Sequence, residues 1–346
     1  MSGDSFPAFR AAAVQAASCF LDREATLSKL ESLAAEAARG GARLVVFPES
    51  FIPAFPLWNL VLAPVDQHAF FRALYEQAVA IPSVHTERLA ACAQREGVYL
   101  SVGVTERSQV SMGGLYNTNL LFSPTGGLLH RHRKLVPTWA EKLTWAAGDA
   151  SQLRPVETEL GRIGTLICGE NTNPLARYAL LAQGEQVHIS TYPPAWPSRR
   201  RGDGRNYDLT RSIEIRAAAH AFEGKVFNIV AAGALDAATV EAIARVDPSV
   251  EDIFAGAPPS VSMILDPSGE PCSKRLEGEE GIVYGDIDIA ESIEAKQIHD
   301  VIGQYQRFDL FSLRVDQRPQ QPIVLIGEDE GRAPTPPSAA EDARGE

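Results

Sequence analysis

Apolar, β-branched segments alternate with amphipathic stretches through most of the chain, and this alternation limits the possible folds more than any other feature. Ala11–Ala17 and Arg43–Phe47 have the continuous apolar character of buried strands, and the stretch between them, from about Arg23 to Arg39, has helical spacing. The other predicted strands of this kind are Val98–Glu106, Arg162–Ile167, Val187–Thr191 and Val226–Ala232. The other predicted helices are Ser83–Arg95, Asn173–Ala182 and Thr210–Glu223.

Two turn-rich links interrupt the alternation and predict hairpins. The SPTGG segment at 123–127 separates Tyr116–Leu121 from Leu128–His130, and a Pro-Ser-Gly turn at 267–269 lies between Val261–Asp266 and Ile282–Asp286. Helical connections favour parallel strands, whereas hairpins make antiparallel ones. We therefore expect an α/β protein with helices packed outside sheets of parallel and antiparallel strands. Two mixed β-sheets packed face to face with outer helices, a four-layer α-β-β-α sandwich, would accommodate this pattern.

The C-terminal end differs in composition from the rest. From Glu328 to Glu346 the chain is acidic and rich in Pro, Ala and Gly, with no aliphatic or aromatic side chain larger than that of alanine. Such a segment cannot bury enough apolar surface to offset the conformational entropy lost on ordering. We predict a single domain over residues 6–315, a connecting arm over 316–327 and a disordered acidic tail over 328–346.

The charge balance argues against two classes of partner. The 32 Lys and Arg residues against 44 Asp and Glu residues give a net charge of −12. Nucleic acids and anionic membrane surfaces both attract an excess of basic groups, so we expect neither as a partner. Four widely spaced cysteines are too few for a disulfide scaffold, and no signal peptide or membrane span is apparent. The expected location is the cytoplasm.

Three segments place an ionisable residue at the end of an apolar strand, where loops often carry function. Glu49 follows a buried strand and a proline, Lys134 lies in the basic segment Arg131–Pro137, and Cys168 ends a strand and is followed by Gly169. Each has an ordinary alternative: a capping acid, a solvated basic edge, and a small buried side chain. At a strand-to-helix turn, the positive end of the helix would lower the pKa of the Cys168 thiol and supply a reactive thiolate.

Taken together, these segments resemble the nitrilase superfamily of carbon–nitrogen hydrolases over nearly the whole compact part of the chain. The matching pieces, in order, are Ala13-Val14-Gln15-Ala16, Phe47-Pro48-Glu49, Tyr116-Asn117-Thr118, His132-Arg133-Lys134-Leu135, Cys168-Gly169-Glu170-Asn171, and His188–Tyr192 with Pro193-Pro194. Each piece is short, and the specificity comes from finding all six in order. The resemblance implies the nitrilase-like form of the sandwich.

The functional residues of the superfamily correspond to four positions. By resemblance, Glu49 is the general base, Lys134 the stabilising cation, Cys168 the nucleophile, and Glu141 the second glutamate near the substrate. These residue types suit the chemistry because a thiolate can attack the carbon of a nitrile or amide once a neighbouring base accepts its proton. An ammonium group then stabilises the negative charge that develops on nitrogen or oxygen. Since these groups complete the chemistry, we expect no cofactor and no metal.

The segments Pro137–Gly148 and Cys168–Gln186 resemble the nitrilase branch more than the amidase and carbamoylase branches. This implies hydrolysis of an organic nitrile to a carboxylic acid and ammonia through thioimidate and thioester intermediates. An amidase or carbamoylase of the same superfamily and a non-catalytic binding protein are the alternatives. The chain departs from the nitrilase pattern at three places: Gly169 replaces a usual Trp, Trp139 a common His, and Ala54-Phe55-Pro56 the usual Gly-Tyr-Pro.

These departures reshape the expected substrate pocket. The candidate substrate-binding residues are Phe55, Trp139, Gly169, Tyr192 and Trp196. For the aromatic residues, ordinary core packing is the alternative. The substrate is expected to be a small-molecule nitrile, with aliphatic, aromatic and arylacetonitrile classes all open.

The segment Gly303–Phe311 resembles the one that precedes the C-terminal strand of nitrilases, although Gln304 and Phe308 replace the usual His and Pro. Members of the superfamily pair across a two-fold axis, and the dimers often build spirals. The resemblance therefore implies a homodimer or a larger homo-oligomer.

Overall fold

The computed structural model describes residues 6–323, and in it two six-stranded β-sheets carry helices on their outer faces. The strands are β1 (Ala8–Gln15), β2 (Leu44–Val46), β3 (Tyr99–Arg107), β4 (Leu115–Phe122), β5 (Leu128–Arg133), β6 (Val156–Thr158), β7 (Gly161–Ile167), β8 (Val187–Tyr192), β9 (Phe227–Ala232), β10 (Val261–Leu265), β11 (Leu276–Glu277) and β12 (Gly281–Asp288). The α-helices are α1 (Arg23–Arg39), α2 (Trp58–Val61), α3 (His68–Gln77), α4 (Val84–Glu96), α5 (Pro174–Ala182), α6 (Leu209–Gly224), α7 (Ala237–Ala244), α8 (Val250–Ala255) and α9 (Glu291–Ile298).

Both sheets are mixed. The strand order is β12-β1-β2-β3-β4-β5 in the first sheet and β11-β10-β9-β8-β7-β6 in the second. Strands β1, β2 and β3 are parallel, as are β7, β8 and β9, because helices connect them; the flanking strands pair antiparallel. The expected α/β class with two mixed sheets is confirmed.

The sheets pack face to face through aliphatic side chains. Ala13 and Val46 of the first sheet share a buried cluster with Ile189 of the second. A separate cluster that includes Leu30 joins α1 and α4 to the first sheet, and another that includes Ile213 joins α6 to the second. Since full burial of each aliphatic side chain contributes about 1.5–3 kcal/mol, these three interfaces hold the four layers together.

Of the two predicted hairpins, one is confirmed and one is wrong. Strands β4 and β5 pair antiparallel across the turn at 123–127. Strands β10 and β12, in contrast, lie in different sheets: β10 pairs with β9 and β11, and β12 pairs with β1. The turn itself exists, because the N–H of Asp266 donates to the carbonyl of Glu270 at 2.9 Å. After the turn, the returning chain pairs with β10 over only a short stretch. The residues that follow cross to the edge of the other sheet, where they form β12.

The C-terminal part of the described chain runs without helix or strand from residue 299 to residue 323. Gln317 donates to the carbonyl of Leu153 at 3.3 Å, and the N–H of Gln320 donates to Asp149 at 2.9 Å. The end of the predicted arm and the predicted tail at 328–346 lie outside the described residues. Among residues 6–323, no helix combines the length and apolar character needed to cross a membrane.

Candidate active site

Glu49, Lys134 and Cys168 all follow strands that end at one side of the sandwich. Strands β2 and β7 belong to the parallel sets, and β5 runs in the direction of β3 because two antiparallel steps separate them. A parallel bridge between Ala16 and Gly233 shows that the two parallel sets point the same way. The carboxyl ends of the strands therefore bring the three side chains together, and Glu141 joins them from the short 3₁₀ helix at 139–143.

The ammonium group of Lys134 lies between two carboxylates. Its Nζ donates to Glu49 Oε1 at 2.8 Å and to Glu141 Oε2 at 2.7 Å, and all three side chains are buried. Asn117 Nδ2 also donates to Glu49 Oε1 at 2.7 Å, and the N–H of Thr138 donates to Glu141 Oε2 at 2.8 Å. The other oxygens, Glu49 Oε2 and Glu141 Oε1, have no hydrogen-bond partner among the described residues. One oxygen of each carboxylate is thus free to meet a reactant.

Cys168 completes the cluster. Its Sγ lies within 4.8 Å of a carboxylate oxygen of each glutamate, and its φ of 50° is in the left-handed region, which costs a non-glycine residue about 1–3 kcal/mol. Glu170 fixes this turn, since its carboxylate accepts from the N–H groups of Ile167 at 2.7 Å and Leu135 at 2.5 Å and contacts His132 Nε2 at 3.0 Å. Glu170 therefore joins the loop after β5 to the loop after β7.

Burial is the largest influence on the ionisation of the cluster. It raises the pKa of Glu49 to about 7, although the ammonium of Lys134 opposes this rise. Burial would lower the pKa of Lys134, but Glu141, Glu49 and the thiol outweigh it, so the pKa of Lys134 is raised and the amine stays charged. Burial and the Glu49 carboxylate raise the pKa of the Cys168 thiol well above its usual value.

The expectation of a lowered thiol pKa at Cys168 is therefore wrong. The helix that begins at the cysteine has five residues and is a 3₁₀ helix, so its dipole is small. The thiol is also buried rather than exposed, and burial disfavours its charged form. Cys168 stays a thiol until a base takes its proton, and Glu49 is the neighbour whose pKa near 7 suits that transfer.

Within residues 6–323, two groups of side chains have ligand atoms close enough together to hold an ion. In the first group, Glu49, Glu141 and Cys168, the ammonium of Lys134 already bridges the carboxylates. In the second, Glu185 is hydrogen-bonded to a histidine through each of its oxygens. In each group a protein partner already contacts the carboxylates, and the expectation that no metal takes part stays a prediction.

Three of the predicted pocket residues lie in the same buried cluster as Cys168, namely Phe55, Tyr192 and Trp196. The ring centroid of Phe55 is 5.4 Å from that of Trp145 and 6.3 Å from that of Trp196. The Tyr192 hydroxyl has no hydrogen-bond partner among the described residues, and burial raises its pKa. A narrow cavity of about 20 Å³, room for about one water molecule, borders Glu49 and Phe55.

Trp139 and Gly169 have different surroundings. Trp139 has 65% of its surface exposed and a φ of 45°, so it lies at the surface next to Glu141 rather than in the buried cluster. A Cβ at Gly169 would lie 2.6 Å from Oγ1 of Thr138, so the loop that carries Glu141 packs directly on the glycine. The roles of both residues in substrate binding stay predictions.

No role was predicted from the sequence for Asn117, Glu170 or Trp145, although Asn117 and Glu170 lie in two of the motifs that resemble the nitrilase superfamily. A signal for Asn117 exists in the sequence, because a polar residue inside the apolar strand β4 needs a buried partner. Glu170 and Trp145 gave no such signal. Their contacts depend on how separate loops meet.

The comparisons with known proteins show to which family the chain belongs. Residues 10–297 match the family model described as carbon-nitrogen hydrolase. The chain is 36% identical to a protein named "Nitrilase" from Paraburkholderia phymatum, over 91% of this chain and 88% of that protein. The chain belongs to the carbon–nitrogen hydrolase family, the nitrilase superfamily, and the resemblance of its motifs is confirmed.

Two solved structures share the fold. A carbon-nitrogen hydrolase from Helicobacter pylori G27 superposes with a TM-score of 0.67 at 20% identity, covering 84% of this chain and 92% of that one. A double mutant of the amidase from Nesterenkonia sp. AN1 in complex with acrylamide superposes with a TM-score of 0.60 at 21% identity, covering 83% and 93%. The nitrilase-like architecture expected from the motifs is confirmed.

Proposed function

We propose that this carbon–nitrogen hydrolase is a nitrilase that converts an organic nitrile and two water molecules into a carboxylic acid and ammonia. The observation that carries the proposal is the buried cluster in which the Cys168 thiol lies within 4.8 Å of oxygens of both Glu49 and Glu141. Lys134 bridges the same two carboxylates, so nucleophile, base and cation share one enclosed space. The identity to a nitrilase-named relative over most of both chains supports a nitrile as the substrate.

In the first half of the reaction, Glu49 accepts the thiol proton of Cys168 while sulfur bonds to the nitrile carbon. The nitrile nitrogen takes that proton, and the product is a thioimidate. Lys134 stabilises the negative charge that develops on nitrogen, and its ammonium is effective because the surroundings are dry. A pKa near 7 lets Glu49 both accept and return a proton at neutral pH.

In the second half, two water molecules are consumed. Glu49 takes a proton from the first water as its oxygen adds to the thioimidate carbon, and protonated nitrogen then leaves as ammonia, which gives a thioester. The second water adds in the same way, the carbon–sulfur bond breaks, and the acid and the Cys168 thiol are released. The cavity next to Glu49 has room for about one water molecule. Glu141 holds Lys134 in place and offers its free oxygen Oε1 to substrate or water.

The pocket residues complete the proposal. We assign to Phe55, Tyr192 and Trp196, which share a buried cluster with Cys168, the role of receiving the organic group of the nitrile. Gly169 lets the loop that carries Thr138 and Glu141 pack closely on it, and Trp139 lies at the surface of that loop. We assign these roles from position and chemistry.

The test measures ammonia release from a panel of aliphatic, aromatic and arylacetonitriles and from the corresponding amides. We expect acid and ammonia from at least one class of nitrile, and loss of all turnover in Cys168→Ala with folding intact. Cys272→Ala, which changes an exposed cysteine, is the matched control and keeps full activity. Full activity of Cys168→Ala would end the proposed mechanism.

An amidase or carbamoylase is the second candidate. The same four residues can attack an amide carbonyl, and the superposed Nesterenkonia protein is an amidase, although that likeness shows the fold alone. Release of ammonia from amides but from no nitrile would favour this candidate.

A non-catalytic binding protein is disfavoured. Burying an ion cluster costs desolvation free energy, and a protein without turnover has no need for such a cluster.

We also propose that the protein works as a homodimer or larger homo-oligomer in a reducing cytoplasm. A reducing compartment suits the chemistry because it keeps Cys168 from oxidation. Exposed aliphatic side chains on the adjacent helices α5 and α6, Leu175 and Ile215, support a contact between copies of the chain.

A further inference from the structure

Asn171 lies directly behind the nucleophile and contacts its backbone. Its Nδ2 donates to the carbonyl of Cys168 at 3.1 Å and to the carbonyl of Leu166 at 3.2 Å. Two carbonyl acceptors fix the orientation of the amide, because only its NH₂ end can face them. The oxygen Oδ1 must therefore face the other way, where it meets Nε2 of His188 at 2.9 Å.

This orientation determines the protons on His188. Since Asn171 Oδ1 can only accept, Nε2 of His188 must carry a hydrogen. The other ring nitrogen, Nδ1, lies 2.7 Å from Oε1 of Glu185. Burial would raise the pKa of Glu185, but the two histidines that contact it outweigh burial and lower that pKa to about 2, so Glu185 is a carboxylate and can only accept. His188 is completely buried and links Asn171 to the Glu185 carboxylate.

The second histidine of the group is neutral. Nε2 of His220 lies 2.7 Å from Oε2 of Glu185, and burial, followed by the charge of His188, lowers the pKa of His220 to about 4. It therefore donates one hydrogen bond to Glu185. The positive charges of Arg177 on α5 and Lys296 on α9 also act on this group.

The space for the carboxylate is provided by a missing side chain. A Cβ at Gly164 on β7 would lie 1.8 Å from Oε1 of Glu185. Glycine at this position therefore lets the pair of Glu185 and His188 sit against the strand that ends at Cys168. Both partners are fully buried, so loss of either one would leave the other without a partner inside the protein, which is strongly unfavourable.

We propose that Asn171 is a positioning residue for Cys168, held in a fixed orientation by its contact with the buried His188, which in turn contacts Glu185. Its two donated hydrogen bonds hold the backbone of the nucleophile in the left-handed conformation that aims sulfur at Glu49 and Lys134. Asn171 does not touch the reacting atoms and acts through the cysteine. The positioning role depends on the proposed function only in the experiment that measures turnover.

The first test follows the pH dependence of Cys168 alkylation by iodoacetamide, read by peptide mapping. In Asn171→Leu we expect the labelling midpoint to fall towards about 8.5, the value of an ordinary cysteine, because the released thiol leaves its buried surroundings. Asn228→Leu is the matched control: Asn228 is equally buried and bonds to the carbonyl of Ala217 and the hydroxyl of Ser190. An unchanged profile in Asn171→Leu, or an equal shift in the control, overturns the proposal.

The second test observes the protons directly. NMR of protein with ¹⁵N-labelled histidine should show that Nε2 of His188 carries a hydrogen, with the signal identified by its loss in His188→Gln. A His188 ring whose Nε2 carries no hydrogen overturns the proposed network. Neither this test nor the labelling requires turnover, so both decide the network even if no nitrile or amide is hydrolysed.

The third test uses turnover. Asn171→Leu should lower kcat about 100-fold, the effect of a displacement of about 1 Å, while KM stays within about threefold. Asn228→Leu, matched for loss of thermal stability, should keep kcat within about threefold. Equal losses of kcat in the two variants overturn the positioning role.

Discussion

At the scale of single residues, the cluster holds fewer negative charges than its composition suggests. Two carboxylates face one ammonium, and the thiol is neutral because its pKa is raised. With a pKa of about 7, Glu49 changes protonation state within the neutral range, whereas Lys134 keeps its charge. Glu49 is therefore the carboxyl of the cluster that can gain or lose a proton near neutral pH, whereas Lys134 keeps a fixed positive charge.

The pH dependence of kcat/KM should report this titration. Only the ionised form of Glu49 can accept the thiol proton, so kcat/KM should rise with pH through a midpoint near 7, the raised pKa that burial gives this carboxyl. Steady-state assays from pH about 5.5 to about 8.5 check this. Glu49→Gln should lose about 100-fold or more in kcat at every pH. A flat wild-type profile would contradict the assignment of Glu49 as the base.

Lys134→Met should destabilise the fold as well as abolish activity. Removal of the ammonium leaves Glu49 and Glu141 buried without a cation, and breaking a buried ion pair in this way costs about 3–5 kcal/mol. Urea unfolding measures the loss. Lys142→Met changes an exposed lysine in the same loop and should alter the free energy of unfolding by less than about 0.5 kcal/mol. Similar losses in both variants would show that the ion pairs contribute little.

The candidate catalytic residues were predictable from the sequence, whereas the residues that hold them in place were not. Glu49, Lys134 and Cys168 stand at strand ends and carry motifs, so pattern and resemblance together identify them. Asn117 reaches Glu49 only because of the register of β4, and His188 meets Asn171 only because of where β8 lies beside β7. Register is a tertiary property, and local patterns do not contain it.

At the scale of elements, Glu170 links strands of different sheets. Strand β5 belongs to the first sheet and β7 to the second, and the Glu170 carboxylate accepts backbone hydrogen bonds from the residues that follow β5 and end β7. Burial opposes ionisation of this carboxyl, but His132 and the backbone N–H groups outweigh burial and lower its pKa. The charged form is thus the one that the fold stabilises.

Glu170→Gln should therefore reduce stability, and most clearly above acidic pH. A carboxyl with a lowered pKa in the folded state contributes stability above its unfolded pKa, about 4.3, and loses it as the pH falls through the lower folded value. The difference in free energy of unfolding between wild type and variant should be about 1–3 kcal/mol at pH about 7 and should shrink below pH about 4. Urea unfolding at both pH values measures it. Glu159→Gln, which changes an exposed carboxylate, is the control.

The elements themselves were largely predictable, but their partners were less so. Periodicity places β1, α1, β3, α4 and β7 within a few residues of where the structure has them. It also detects the turn after β10. It could not show that β12 would pair with β1 rather than β10, because either partner satisfies the backbone of an edge strand. Packing between the two sheets determines which strand β12 pairs with.

At the scale of the whole molecule, the candidate active site and the proposed contact between copies lie on different parts of the sandwich. The candidate active site lies on the side where the carboxyl ends of the parallel strands meet. The outer face of the second sheet is covered by α5 and α6, which contact each other through an ion pair between Arg177 and Glu223 at 2.8 Å. The loop and helix that follow Cys168 lead directly into α5, so a contact between copies on these helices would lie close in sequence to the nucleophile.

A single charge placed on this surface should separate the copies. Ile215 on α6 has 55% of its surface exposed, and Ile215→Arg would place a guanidinium in an apolar contact, a desolvation that disfavours association. Light scattering coupled to size-exclusion chromatography should show a dimer or larger assembly for the wild type and a smaller species for Ile215→Arg. Val110→Arg, at a site 72% exposed and remote in the sequence, should leave the mass unchanged. A wild-type monomer would contradict the proposed assembly, and an unchanged mass in Ile215→Arg would place the contact on another surface.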